Sequence, residues 1–212
     1  MKQLPTIYEK IQYALNDLPG ELAHKEMYPG RKSAQQALLD QENYRTAAVL
    51  AMLYEEAQSI KLVLTQRQSY QGNHANQISF PGGKLESVDN SIEDAALRET
   101  EEEIGVSRQN ISILGKLTDV YIPVSQFMVH PFIGIHEGIP DFTLEEREVK
   151  RLIAVDLFDL LDQQKRTAEK IAVSPQLTMK DVPAFNFNGD IVWGATALML
   201  NELKYILQRI DF

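Results

Sequence analysis

Apolar residues recur at Ile7, Ile11 and Leu15 with helical spacing, which predicts a short amphipathic helix over 7–17 stopped by Pro19-Gly20. The stretch HKEMYPGRKSAQQ, residues 24–36, reads as a polar loop with a Pro-Gly turn at 29 and 30. From Arg45 the pattern changes. TAAVLAMLYEE and SIKLVLTQR are β-like runs parted by a few polar residues, which predicts a strand pair, and NQISF predicts a shorter strand running into Pro81-Gly82-Gly83. Residues 91–104 predict a helix, with Asp89, Asn90 and Ser91 as candidate N-caps and Gly105 as its stop. ISILGKLTDV and FMVHPFIGIHE predict strands, EVKRLIAVDLFDLLD a strand leading into a helix, and IVWGATALMLNELKYILQRI a strongly amphipathic terminal helix. Mixed strand and helix order without internal repeats predicts an α/β or α+β sandwich around one core. The expected division is an N-terminal helical extension at 1–40 and a main domain at 41–212.

Composition narrows the function classes. The chain has 212 residues, 44% of them hydrophobic and 24% charged, enough to bury a sizeable core. It has no cysteine, which excludes disulfides, thiolate nucleophiles and Cys-ligated zinc, and is compatible with a reducing cytoplasm, the expected location. The N-terminal stretch carries charges through its apolar pattern, unlike a signal peptide, and no run of about 18 apolar residues predicts a membrane span. A formal net charge of −9 with no basic stripe argues against nucleic acid as a partner. A phosphate compound could approach such a surface only through cations.

That condition brings SFPGGKLESVDNSIEDAALRETEEEIGV, residues 79–106, forward. At 100° per residue, Leu97, Thr100 and Ile104 take one side of the helix and face the core, while Glu99, Glu102 and Glu103 share an arc of about 100° elsewhere and are expected to face solvent. Like charges at these spacings repel by a few tenths of a kcal/mol, which an Arg98–Glu102 pair at i, i+4 offsets in part. An ordinary acidic run is a solvated helix face. Here a Gly-Gly segment precedes the helix and can fold its carbonyls toward the carboxylates, and hard oxygen donors at that density suit Mg²⁺ or Mn²⁺.

The segment resembles the Nudix box, with Gly83 opening it and Arg98, Glu99, Glu102, Glu103, Gly105 and Val106 in matching places. Asp89 stands where Glu is usual, one extra residue separates it from Arg98, and Thr100 replaces an aliphatic residue. The extra residue, with Leu62, Leu64, Thr65, Arg67 and Phe80 to Gly83, is similar to the Nudix branch that hydrolyses coenzyme A. EVKRLIAVDL and VWGATALMLNEL extend the likeness to about residues 45–207. Gly72 and Asn76 stand where that branch has Arg and Gly, and Gln68 replaces a small residue.

The resemblance implies a Nudix-type α/β/α sandwich with a mixed central sheet and a catalytic loop-helix. It implies a small-molecule diphosphate substrate cleaved by water at the pyrophosphate, coenzyme A or its thioesters foremost. Nucleotide sugars, dinucleotides or damaged nucleoside triphosphates are the alternative, and a non-cleaving nucleotide-binding protein is a third reading, against which the three glutamates argue. It implies Glu99 and Glu103 as principal metal ligands, Glu102 as a further ligand or a partner to one, and the Gly83 carbonyl as another, holding Mg²⁺ or Mn²⁺. Arg98 is expected to orient a glutamate. Glu148 is the candidate general base, with Glu145 and Glu146 as competitors, and Arg67, His74, Phe80 and Gly82 are the candidate substrate contacts. His130, beside Pro131 in a strand, reads as structural, and Trp193 with Tyr205 as core. A homodimer is compatible with all of this.

Overall fold

A computed structural model describes residues 6–28, 30–68, 77–174 and 177–210. Three short helices come first: α1 (Ile7–Ala14), α2 (Glu21–Met27) and α3 (Ala34–Leu39). A capping box starts α1, where Thr6 and Glu9 exchange hydrogen bonds with each other's backbone. The expected polar loop at 24–36 thus holds the end of α2 and the start of α3, while Pro29 of the expected turn lies outside the described residues. Ser33 caps α3 through the Gln36 N–H, and the small residues Ala23, Ala34 and Ala37 let both pack closely.

Strands β1 (Arg45–Glu56) and β2 (Ser59–Arg67) form the expected antiparallel pair. β3 (Ile78–Ser79) adds to β2, and β4 (Gly82–Lys84) pairs with β1, so the Gly-Gly segment belongs to a strand. After α4 (Ile92–Ile104) come β5 (Ile111–Lys116), β6 (Val120–Ile122), β7 (Phe127–His136) and β8 (Val149–Asp156). The main sheet runs β3-β2-β1-β7-β5, with β4 on β1, β6 on β7 and β8 on β2. β1 and β7 are parallel and the other pairs antiparallel, which makes the sheet mixed.

Strand alternation sends the two faces of β1 into different cores. Ala48, Leu50, Met52 and Tyr54 face α4, packing with Ala95, Ala96 and Ile104. Ala47, Ala51 and Leu53 face the opposite layer, where Leu198, Leu203 and Ile206 of α5 (Gly194–Leu207) join Ile11 of α1 and Met27 of α2. Each fully buried Leu or Met on this sheet contributes about 1.5–3 kcal/mol relative to exposure. A second sheet, β11-β10-β9, is built from β9 (Arg166–Ser174), β10 (Leu177–Phe187) and β11 (Asp190–Trp193).

The terminal helix departs from the expected amphipathic pattern. β11 takes the first residues of the segment, and α5 is buried almost all round, Asn201, Glu202 and Lys204 included. Its polar residues are partnered instead of solvated. Asn201 Nδ2 donates to the Ala23 carbonyl at 2.7 Å, and Glu202 accepts from the Gly20 N–H at 3.1 Å and from the Thr118 hydroxyl at 2.6 Å. Tyr205 is half-buried with its hydroxyl on Glu26, and Trp193 lies at the end of β11. Among the described residues no helix is long and apolar enough to cross a membrane.

Candidate catalytic site

Helix α4 is fixed at both ends by its sequence. Ser91 accepts the Asp94 N–H at 3.0 Å, the Asn90 N–H bonds back to Asp94 at 3.0 Å, and Gly105 ends the helix in the left-handed conformation. Ala95, Ala96, Thr100 and Ile104 form the buried stripe, with Leu97 half-buried beside them. The Thr100 hydroxyl is satisfied within the helix, donating to the Ala96 carbonyl at 2.7 Å.

The three glutamates do not share one environment. Glu103 is 3% exposed, against the expectation of a solvent-facing carboxylate. It accepts from the Gly82 N–H at 3.3 Å and from the Arg67 guanidinium at 3.3 Å. Burial pushes its carboxyl up to about 7, opposed by Arg67 and the Gly82 N–H and reinforced by Glu99 and Glu148. Glu99, with 16% of its side chain exposed, is also raised by burial, against the pull of Arg98 and with added repulsion from Glu102 and Glu148. Glu102 is different: its side chain is 59% exposed and it pairs with Arg98 at 2.9 Å.

Glu99 lies directly over Gly83. A Cβ on Gly83 would fall 2.2 Å from Glu99 Oε2, so only glycine leaves room for the carboxylate. Gly82 is constrained by backbone: its φ is +143°, and a Cβ there would meet the Ala48 carbonyl at 2.3 Å. β4 therefore runs so close to β1 that Gly82 must lack a side chain, whereas a side chain at Gly83 would displace the Glu99 carboxylate.

Arg98 is locked in place. Asp89, with 1% of its side chain exposed, receives Nε at 2.7 Å and an NH2 proton at 3.0 Å. The same guanidinium donates to Glu99 at 3.0 Å, to Glu102 and to the Lys84 carbonyl at 3.1 Å. These bonds, Asp89's first, raise the guanidinium above its ordinary value, while Arg98 and the Glu86 N–H hold Asp89 below its own despite burial. Of the three candidate caps, Ser91 caps the helix and Asp89 anchors the arginine. The signal for the second role was Asp89's place in the motif, where a carboxylate is usual.

Other predicted residues divide. Arg67 stands at the end of β2 with 39% of its side chain exposed, beside Glu103. Glu148 is exposed and precedes β8, whose Val149 pairs with Arg67, and the Gln68 N–H donates to the Glu148 carbonyl at 2.8 Å. That pairing brings Glu148 near Glu99 and Glu103, whose carboxyls it raises, while Glu145 and Glu146 are exposed in the preceding turn. Phe80 does not fit a substrate contact: it is 1% exposed and packs in the main core. The Gly82 N–H is directed to Glu103. His74, with Gly72 and Asn76, lies outside the described residues.

Among the described residues no three His, Asp or Glu side chains converge into a ready cage for a metal. The donor chemistry nevertheless fits a hard divalent cation. Mg²⁺ is commonly held by one or two carboxylates with waters and substrate phosphates. Here two largely buried carboxylates stand without enough positive charge to keep them at ordinary values, and a glycine leaves one of them room.

Comparisons with known proteins bear on the family and the fold. Residues 44–175 match the NUDIX domain. The uncharacterized Nudix hydrolase NudL of Salmonella paratyphi B is 34% identical over 161 residues, which span 76% of this chain and 82% of the relative. The solved Nudix hydrolase RenU of M. smegmatis superposes with a TM-score of 0.54 at 15% identity, over 79% of this chain and 88% of that one. A MutT/nudix family protein from Enterococcus faecalis gives 0.53 at 14% identity, over 97% of this chain and 76% of that one. At these identities the two structures speak for the fold, an α/β/α sandwich with a mixed central sheet.

Proposed function

The chain belongs to the NUDIX family, and on that premise we propose that it is a divalent-cation-dependent pyrophosphohydrolase acting on coenzyme A or its thioesters, with 3′,5′-ADP and (acyl-)4′-phosphopantetheine as products. The hydrolase class and a pyrophosphate-containing substrate follow from the family. The choice of coenzyme A is supported by the run from Leu62 to Arg67 and from Phe80 to Gly83, with the lengthened box that follows. The observation that carries the chemistry is the placement of Glu99 over Gly83 beside the buried Glu103.

Glu99, Glu103 and the Gly83 carbonyl would hold Mg²⁺ or Mn²⁺, with Glu102 at the exposed margin. When bound, such an ion supplies charge neutralisation for the phosphates and acidifies water. Arg98, immobilised by Asp89, keeps the Glu99 carboxylate in one orientation, so the geometry is set before substrate arrives. Arg67, at the end of β2, contacts a phosphate oxygen while holding Glu103. Glu148 accepts the proton of the attacking water, its exposure and its place beside Glu99 and Glu103 leaving it reachable.

Competition kinetics with coenzyme A, ADP-ribose and a nucleotide sugar test the substrate assignment. Gly72 in place of Arg removes one charged contact, about 1.5–3 kcal/mol, so measurable but weak coenzyme A turnover is expected. A tenfold higher kcat/KM for either rival would remove coenzyme A and leave the pyrophosphohydrolase.

A further inference from the structure

A second polar cluster lies on the same face of the main sheet as Glu99. In register, His130 of β7 stands beside Ala48 of β1, and Ala48 stands beside Gly83 of β4. Ala48 and Phe132 both pack in the α4 layer, so alternation along β7 puts His130 on that layer's side. Two strand spacings separate it from Gly83, roughly 10 Å at 4.7–4.9 Å each. Lys116 of β5, paired with Phe132, joins it from the next strand.

Asp119 organises the cluster. Its carboxylate is 2.8 Å from His130 Nδ1 and 2.8 Å from Lys116 Nζ. Burial opposes ionisation of Asp119, yet the bonds from His130 and Lys116 outweigh it and hold the carboxyl below its ordinary value. The segment bearing Asp119 is itself pinned, since Thr118 donates both its N–H and its hydroxyl to the buried Glu202. With Nδ1 engaged by Asp119, Nε2 is the ring nitrogen left for a ligand, and the side chains of His130 and Lys116 are 13% and 41% exposed. A surface ion pair needs no such support, and the mechanism above leaves all three residues unused.

We infer that Lys116 and His130, held by Asp119, form a subsite for a phosphate monoester on the substrate, remote from the pyrophosphate being cleaved. The inference rests on reading the Glu99 face as the substrate site. A backbone separation of roughly 10 Å from Gly83 to His130 leaves room for a sugar that carries phosphate at both ends. Cations held by the glutamates would serve the pyrophosphate, whereas a second phosphate farther along would meet an acidic chain unless the protein supplied its own positive charge. Lys116 provides that charge as a flexible ammonium and His130 an additional ring nitrogen.

Calorimetric titration of the full chain with 3′,5′-ADP and with 5′-AMP, both with Mg²⁺, reads the subsite without turnover. The wild type is expected to bind the bisphosphate about tenfold more tightly, the scale of one charged contact. Lys116→Gln should bring the two within twofold, and Lys116→Arg should restore most of the difference. Equal affinity in the wild type, including no binding of either, overturns the subsite, as does a tenfold preference that survives in Lys116→Gln. Failure of the coenzyme A reading shows separately, as coenzyme A left intact while another diphosphate is cleaved.

Discussion

Replacing Gly83 by alanine separates the chemistry of the site from the stability of the fold. The new methyl carbon would lie 2.2 Å from Oε2, 2.4 Å from Cδ and 2.8 Å from Oε1 of Glu99. These atoms end a flexible side chain, so the conflict is relieved by swinging the carboxylate aside by roughly 1 Å, a displacement that costs about 10²-fold in rate when it occurs at a catalytic group. The fold changes little. Gly→Ala stabilises through the unfolded chain by about 0.4–1 kcal/mol, and an off-rotamer Glu99 costs about 0.5–1.5 kcal/mol. The two nearly cancel. The assay is steady-state turnover of a diphosphate substrate with Mg²⁺, alongside a thermal melt. The expected result is kcat lower by about 10²-fold, with Tm within about 4 °C of the wild type. A Gly83→Ala protein that turns over at the wild-type rate would refute the argument that Glu99 must lie over a bare backbone.

Excess chelator should abolish turnover, and added Mg²⁺ or Mn²⁺ should restore it, monitored by product formation; full activity in chelator would remove the cation from the account. Glu103→Gln should lower kcat by about 10³-fold or more with the fold retained by circular dichroism, because the amide oxygen can still accept the Gly82 N–H. Wild-type activity in that variant would return the acidic run to a solvated helix face. Asp89→Asn should destabilise the protein by about 1.5–3 kcal/mol at neutral pH, since Arg98 loses a charged partner. The folded-state value of Asp89 is depressed, so this contribution is present above the ordinary aspartate value of about 3.9 and lost as pH falls through the lower folded value. Denaturant melts of both proteins from pH 7 downward should converge in acid, and a gap independent of pH would contradict the pairing.

The parts of the fold legible in the sequence are those where burial follows a simple period. β1, β2, β5 and β7 read from their apolar runs, and α4 from its caps and its stripe. Helices α2 and α3 were hidden because small residues and one serine cap hold them, with few large apolar positions to mark a period. The β9–β10 hairpin mixes Glu169, Lys170, Lys180 and Asp181 into its strands, so alternation is weak. α5 misled because Asn201, Glu202 and Lys204 count as polar in a pattern yet lie buried, with partners as distant in sequence as Ala23 for Asn201 and Gly20 for Glu202. The site divides the same way. Spacing put Glu99 and Glu103 on one part of a helix, but their burial depends on β4 lying against β1, a contact between distant segments. Spacing also paired Arg98 with Glu102, while the tighter bond to Asp89 requires the turn before the helix to fold back. Phe80 adjoins the Gly-Gly pair in sequence but points into the core.

The proposed function stands on hydrolysis of a pyrophosphate bond at the Glu99–Glu103 face with a divalent cation. The most direct test incubates the protein with a panel of coenzyme A, ADP-ribose, a nucleotide sugar and a dinucleotide in Mg²⁺ or Mn²⁺, with Glu103→Gln in parallel, and identifies products by mass. 4′-Phosphopantetheine and 3′,5′-ADP are expected from coenzyme A, formed by the wild type and not by the variant. An intact panel after incubation with the wild type, or equal cleavage by Glu103→Gln, would contradict it.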